Sequence, residues 1–546
     1  MKSDKNKIVI LIVLILGFVF LPNIKLDFNL SQKPNDINPK QSASYFEKFI
    51  CVDGNWSATT SYEWCYGDGS WSNPYIIENV SIDALNSLTG SGIYINNSKN
   101  DYFIIRNCKV YNAGSGAYDG GIKLDNSNNG TLTKNNCSNN ARDGLILINT
   151  CENNTISENI VDNNYTGIYL EDESNNNTIS GNTASDNVGG ITLDNSNDNT
   201  ISGNAACNSS SNGIYLHNTC TNNTISGNTA NDNEIGMYIF NCNYNIITGN
   251  TVNNNVDLEG IVLDGSDNNI ISGNNIDGNV VGIFIYNALN NTIIGNTISN
   301  NNVSGIHIDE DSDYNEFTEN ILRNNTIGLN INGLNENNSV YKNFFLNNEK
   351  HAFDNGIASK WNSTVIGNYW DNHTGPDVSP QDGIVDSPYV FIGGYVGSID
   401  YLPIAEDGAP RINIISPPAG SRFGNTAPSF NIEVIDDYLF EMWYTIDRGL
   451  NNYTFTENGT INQSMWDAMS DGTITITFYA LDVAGNIGTA EITVSKNLPE
   501  EFDPTLVIII VSIVGGVALL VVILVILEKK GIISLEKVKE LLTKRK

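Results

Sequence analysis

Two columns of side chains carry the chemistry this sequence offers. Each column follows a Gly-Ile pair, or its Gly-Leu or Gly-Met equivalent, beginning at Gly121, Gly144, Gly167, Gly190, Gly213, Gly236, Gly260, Gly282, Gly305 and Gly328. Two residues after the glycine the sequence reads Lys123, Ile146, Tyr169, Thr192, Tyr215, Tyr238, Val262, Phe284, His307 and Asn330. Two further on it reads Asp125, Ile148, Glu171, Asp194, His217, Phe240, Asp264, Tyr286, Asp309 and Asn332. Aromatic rings beside carboxylates suit sugars, with pyranose faces on the rings and hydroxyls on the acids. Tyr169, Tyr215, Tyr238, Phe284, Asp264 and Asp309 are therefore the candidate ligand-binding residues. The competing explanation is strand packing, because aromatics favour strands and pair across them.

Hydrolysis of a glycosidic bond needs two carboxylates about 5–10 Å apart. Glu171 and Asp194 fall in adjacent repeats, at roughly one 4.8 Å strand spacing, and form the candidate catalytic pair. No motif marks them out, and neither a nucleophile–base constellation nor a phosphate loop accompanies them. The bases that a polysaccharide lyase would use are sparse and scattered, at Lys123, Lys134, Arg142, Arg323 and Lys342. The run Asp309-Glu310-Asp311-Ser312-Asp313 reads as a cation-binding or solvated turn.

The elements that position these columns follow from the period. The glycines recur about every 23 residues, and a second marker, Asn-x-Ile or its equivalent, recurs in step from Asn154 to Asn338. Within a unit, apolar residues alternate in short bursts separated by polar turn residues, without the 10–12 residue periodic run that a helical repeat requires. Three short strands and three turns per unit predict one coil of a right-handed parallel β-helix. About 12 coils are expected over residues 75–370, after an N-terminal cap at 31–74. The Ile and Leu of each Gly-Ile-x-Leu-x burst point inward and the intervening residue outward. The recurring Asn is expected to stack into side-chain amide ladders.

The chain carries 28 Lys and Arg against 61 Asp and Glu, a net charge of −33. So negative a surface repels phosphate backbones, which excludes nucleic acid as a partner and leaves divalent cations or neutral and cationic glycans. Ile8–Leu21 is an apolar run behind Lys2, Lys5 and Lys7, so residues 1–30 read as a signal peptide or N-terminal anchor. Residues 504–527 are long and apolar enough for a single transmembrane helix. Acidic residues precede this segment and a basic tail (528–546) follows it, which places the tail in the cytoplasm and the main body outside. Asn-x-Ser/Thr sequons such as Asn153, Asn176, Asn222 and Asn290 are possible glycan acceptors in an exported chain, although the repeat itself generates them. Eight cysteines suit an oxidising compartment. Cys220 and Cys242 hold equivalent places in adjacent coils and are expected to pair, as are Cys51 and Cys65 across an N-terminal loop.

After the repeat degrades, the sequence runs Asn368-Tyr369-Trp370, Gly375-Pro376-Asp377 and Asp382-Gly383-Ile384-Val385-Asp386-Ser387-Pro388-Tyr389. This series resembles the end of the β-helix in the NosD-like family, known as periplasmic copper-binding proteins. Similar β-helices are grouped as carbohydrate-binding and sugar-hydrolysis domains. The resemblance covers roughly residues 75–404. Asp377, Asp382 and Asp386, in the capping loop and linker (371–409), could supply hard oxygen ligands to Ca²⁺, although Ser379-Pro380-Gln381 interrupts the denser acidic pattern that the family shows. The copper role does not carry over, because His217, His307, His351 and His373 are scattered and Met is scarce.

Residues 410–497 contain five short alternating runs and no Cys, which predicts a β-sandwich. Its Trp443–Asp447 and Phe478–Asn486 stretches resemble the Ig-like modules of microbial, especially archaeal, surface proteins. The sequence as a whole reads as an all-β, membrane-anchored surface protein that binds extracellular glycans or envelope proteins, or has an adhesive or structural role. A polysaccharide hydrolase or lyase is the alternative.

Overall fold

A computed structural model describes residues 45–255, 258–373, 375–378, 380–406, 408–436, 438–497 and Lys529. The segments read above as signal or anchor (1–30) and membrane helix (504–527), and the basic tail apart from Lys529, lie outside the described residues. Among the described residues no helix is long and apolar enough to cross a membrane. The chain is an all-β, right-handed parallel solenoid of about twelve coils followed by a smaller β module. Met1–Glu234 and Ile235–Lys546 form two compact units.

In the first unit, one wall is built from Ile50–Asp53, Ile93–Asn96, Gly120–Asp125, Asp143–Ile148, Thr166–Leu170, Gly189–Asp194 and Asn212–His217. These strands are parallel, in the register Ile50, Ile93, Ile122, Leu145, Ile168, Ile191, Ile214. A second wall aligns Ile77, Ile105, Leu132, Ile156, Ile179, Ile201 and Ile225. The third wall thins from strands at Tyr45–Glu47, Val80–Asp83 and Lys109–Tyr111 to single bridges at Asn136, Ile160, Thr183, Ala205 and Thr229. Parallel coiling thus already begins at Tyr45, within the stretch read as an N-terminal cap. The inward aliphatics are fully buried, each contributing roughly 1.5–3 kcal/mol. In the second unit the equivalent first wall runs Ile235–Phe240, Glu259–Asp264, Val281–Tyr286, Ser304–Asp309, Ile327–Ile331 and Lys350–Asp354.

Stacked aliphatics leave the turn amides unsatisfied, and three buried asparagine columns satisfy them. Asn159 shows the pattern. Its backbone N–H and its Nδ2 both donate to Oδ1 of Asn182, each at 2.9 Å, while a second Nδ2 hydrogen reaches the Leu132 carbonyl at 2.8 Å. Asn182 repeats this to Asn204, and Asn204 to Asn228. In the second unit the same column runs Asn250, Asn274, Asn296, Asn320, Asn343 and Asn368. A second column includes Asn154, Asn177 and Asn199, and Asn245, Asn269, Asn291 and Asn315. A third includes Asn140 and Asn164, and Asn255, Asn279, Asn301, Asn325 and Asn348. Asn153, Asn176 and Asn222, each just before a ladder residue, take φ of 56°, a left-handed conformation that Asn tolerates better than most residues.

The expected disulfides are not formed, and all eight cysteines are in the thiol form. Cys51 and Cys65 lie on strands of different sheets, one exposed and one buried, in registers with Tyr94 and Ile77 respectively. Cys220 and Cys242 act as serine equivalents. The slot they occupy is Ser127, Cys151, Ser174 and Ser196 in other coils, where a hydroxyl or thiol accepts the preceding coil's N–H and donates to a nearby carbonyl. The Ser196 N–H donates to Cys220 Sγ at 3.4 Å, and that thiol donates to His217 O at 3.2 Å; the Cys242 thiol donates to Phe240 O at 3.1 Å.

The family-like motif after the repeats closes the solenoid. Asn368 ends its ladder on Asp400, whose Oδ2 accepts the Asn368 N–H at 2.7 Å and the Trp370 Nε1–H at 2.9 Å. The Trp370 ring stacks between Phe345 (4.3 Å) and Tyr389 (4.0 Å), covering the end of the core. Asp354 similarly gathers Trp361 Nε1 at 2.7 Å and the Gly356 N–H at 2.8 Å.

All five strands expected in residues 410–497 form, within Arg411–Ser416, Asn431–Ile435, Leu439–Thr445, Gly472–Asp482 and Ile487–Lys496. A two-stranded and a five-stranded sheet share a core around Tyr444, Trp466, Phe478 and Val494. Phe344, Leu346, Tyr369 and Ile404 of the last coils pack with Tyr438 and Val483 of this module.

An interruption of the third column makes a test. Ser209 stands where the third column needs Asn, leaving Asn187 Nδ2 and Ser209 Oγ buried without partners. Ser209→Asn should raise stability by about 1 kcal/mol. Asn182→Ala, which strands several buried groups, should remove about 3 kcal/mol or more. Denaturant unfolding of both variants measures the difference.

Candidate functional site

The outward columns lie on the first wall of each unit. In the first unit the wall brings Tyr169, Glu171, Asp194 and Tyr215 together. The Tyr169 hydroxyl points to Asp194 Oδ2 at 3.4 Å, and Asn218 Nδ2 holds Asp194 Oδ1 at 2.9 Å. His217 Nε2 lies 3.7 Å from the same Oδ2, and its ring stacks on Tyr215 at 4.5 Å. Burial lowers the His217 pKa despite the neighbouring carboxylate, favouring a neutral imidazole. Burial, and then the charges of Asp172 and Asp194, raise that of Glu171. Burial followed by surrounding carboxylates raises that of the Tyr169 phenol.

Asp143, beside these residues, was missed by the repeat pattern. It immediately precedes Gly144, where other coils carry Gly120, Thr166 or Gly189. Its side chain is fully buried without a well-formed hydrogen bond; Thr166 lies beside it, and Arg142 Nε, itself buried and otherwise unpartnered, is 3.9 Å from Oδ1. Burial pushes its pKa up to about 7. Ile146 and Ile148, though outward, are also buried. The non-repeating segment before Gly120 brings Tyr118 to this face, within electrostatic reach of Glu171 and Asp194 and 5.8 Å from Lys123 Nζ. Only its non-repeating character could have marked that segment in the sequence.

In the second unit Tyr238, Asp264 and Phe284 line a shallow groove of about 300 Å³ with Glu259, Val262 and Tyr286. The Tyr238 hydroxyl donates to Asp264 Oδ2 at 2.8 Å, and the Tyr286 hydroxyl to Glu310 Oε2 at 3.1 Å. Phe284 meets the His307 ring edge-on at 5.3 Å, with Asp309 Oδ2 4.0 Å from that imidazole. The tyrosine, phenylalanine and histidine rings are half-buried rather than fully exposed, because each lies against the side chains of adjacent coils. The wall nonetheless presents rings and carboxylates in one strip.

Asp377, Asp382 and Asp386 share one loop, and their oxygens are used by its backbone. Asp377 Oδ2 accepts Gly383 N–H at 2.9 Å, Asp386 Oδ2 accepts Val378 N–H at 3.0 Å, and Asp382 Oδ1 accepts Ile384 N–H at 3.2 Å. His351 is buried on Asp371 at 2.9 Å, and His373 Nε2 meets the Ser387 carbonyl at 2.9 Å.

A family model described as periplasmic copper-binding protein (NosD) matches residues 72–259 and 219–375. No curated protein matches the chain. Among solved structures, a mutant of the periplasmic alginate epimerase AlgG is 15% identical over 53% of this chain and 85% of that one, with a TM-score of 0.40. The mannuronan C-5 epimerase A-module of Azotobacter vinelandii is 14% identical over 53% and 88%, with a TM-score of 0.35. DFA-IIIase from Arthrobacter chlorophenolicus is 10% identical over 54% and 81%, with a TM-score of 0.34. At that level of likeness nothing about activity transfers. The donor set does not fit copper either. Among the described residues no three His, Cys, Asp or Glu side chains group to hold a metal. Each imidazole is engaged by a carboxylate, carbonyl, amide or ring, as above.

The buried Asp143 carboxyl has a measurable signature. Its folded pKa is raised, so the stability it contributes is full below the ordinary carboxylate range and is lost as pH rises through about 7. Asp143→Asn should leave unfolding unchanged near pH 4 and stabilise the protein at pH 8, by on the order of a few kcal/mol. Thermal melts across that range would show the divergence.

Proposed function

The chain belongs to the NosD family, and from that premise we propose that it is a cell-surface glycan-binding protein whose outer first wall is the binding face. The observation that carries this reading is the strip in which Tyr238, Phe284 and Tyr286 alternate with Glu259, Asp264 and Asp309. Rings supply faces for pyranose stacking, and carboxylates accept sugar hydroxyls. A shallow, open groove lined mainly by rings and aliphatic side chains suits an extended chain better than a small enclosed ligand. The segment at 504–527 would anchor the protein in the membrane with the basic tail in the cytoplasm, and residues 410–497, in the manner of an Ig-like module, would serve as a stalk. An adhesive or envelope-structural role would use the same face.

A second reading, a polysaccharide hydrolase or lyase, is favoured by one feature. Glu171 and Asp194 flank the Tyr169 phenol, so two carboxylates and a phenol meet at one point of the wall.

A glycan array probed with the full chain in detergent micelles separates these readings. Binding should be reproducible and fall at least tenfold in Tyr238→Ala and Phe284→Ala, with no change in the bound sugar. New reducing or unsaturated ends, lost in Glu171→Gln, would instead establish the enzyme. An array that retains nothing removes the glycan reading altogether.

A further inference from the structure

The groove on the second unit's wall is rich in rings and acceptors, and its side chains have no hydrogen left to give. Phe284 and the aliphatic side chains that line it are apolar, and the Glu259 and Asp264 carboxylates only accept. Just two lining side chains can donate, the phenols, and both are engaged within the wall: Tyr238 on Asp264 at 2.8 Å and Tyr286 on Glu310 at 3.1 Å. The strands beneath them are paired along the wall, so their backbone N–H groups are used by the parallel ladder.

No cation compensates. Residues 143–322, the stretch that contains the whole groove, hold no Lys or Arg. Arg323, the first one after it, belongs to another wall, where its guanidinium faces the Phe440 ring at 5.8 Å. Burial lowers the pKa of His307, edge-on to Phe284, which leaves that imidazole uncharged near neutral pH. A carboxylate or sulfate on a ligand would meet neither a positive charge nor a side-chain donor here, and would lose water without replacing its hydrogen bonds. A hydroxyl meets the reverse: carboxylate oxygens that accept its hydrogen, beside rings that receive the apolar face of a pyranose. Asp264 and Glu310 do not call for a cation either, since each already holds a phenol hydrogen.

We propose that the second unit's groove binds an uncharged glycan by accepting its hydroxyl hydrogens, chiefly on Asp264, and refuses the corresponding uronate. This rests on the glycan-binding reading above and narrows it to a substrate class.

The test is calorimetry on the full chain in detergent micelles, with oligosaccharides of glucose, mannose and galactose. Each is compared with its uronate, whose primary hydroxyl is oxidised to a carboxylate, and with a series in which one hydroxyl at a time is replaced by fluorine, which cannot donate. The net charge of −33 repels any uronate diffusely, so the titrations are run at ~1 M salt, where the Debye length is about 3 Å and only local discrimination survives. A neutral oligosaccharide should bind at least tenfold tighter than its uronate, and fluorine should weaken it at least fivefold at one position or more. Asp264→Asn brings an amide donor into the groove, at a slot where Asn332 shows that an amide is accommodated, and should cut the neutral-to-uronate ratio at least fivefold. A uronate bound as tightly as its neutral partner, fluorine without effect at every position, or a ratio unmoved in Asp264→Asn overturns the proposal while glycan binding stands. If none of the three neutral oligosaccharides binds, the proposal falls, and a glycan array without hits then takes the glycan reading with it.

Discussion

The side-chain amide of a buried asparagine is the interaction on which the rest of this structure depends. A coil of three short strands turns three times in about 23 residues, and each turn withdraws backbone groups from water without a ladder partner. An asparagine at the turn accepts twice through Oδ1 and donates twice through Nδ2, which matches what a turn requires from the coils on either side. No other uncharged side chain of that size offers two donors and a two-fold acceptor. The aliphatic core supplies the driving force, but the amide columns determine that coils stack in one register, because a slip by one residue would bury every amide without its neighbour.

That constraint explains what the sequence makes legible. The glycine and asparagine periods reveal the solenoid, the inward aliphatics and the outward columns directly, because a repeated geometric requirement leaves a repeated residue. Tyr169, Glu171, Asp194 and Tyr215 come together as the period implies, and so do Tyr238, Asp264 and Phe284. Asp143 is not legible in the same way, since its burial depends on Arg142, on Tyr169 of the next coil, and on a segment near Tyr118 that follows no period. The cysteines mislead for a related reason. A stacked pair at equivalent positions suggests a disulfide, yet Ser127, Ser174 and Ser196 in the same column show that the slot calls for a small hydrogen-bonding atom. The cap at Asp400 is illegible as a cap, because its carboxylate acts on Asn368 and Trp370, far away in sequence.

The same division separates structure from function on the wall. Inward positions are bound by the core and the ladders, whereas outward positions two and four residues after the glycine are bound only by their lateral neighbours. Each coil can therefore change its outer pair without disturbing the stack. Rings packed against adjacent carboxylates make a surface of acceptors and apolar faces, a chemistry suited to polyhydroxylated chains. The motif that marks the family lies elsewhere, in the Asn368–Trp370–Tyr389 plug, so family membership identifies the end of the solenoid more closely than its ligand.

The amide columns also have a direction. Along a column an asparagine such as Asn159 gives its backbone N–H and one Nδ2 hydrogen to the Oδ1 of the coil that follows, and only its other Nδ2 hydrogen reaches back. At Asp400 this relay meets a carboxylate, which takes hydrogens from Asn368 and Trp370 and has none to hand on. An amide in that place would carry hydrogens with no further coil to receive them, buried beneath the plug that closes the stack. The acid thus works as a full stop, one that limits the solenoid to the length of its own chain.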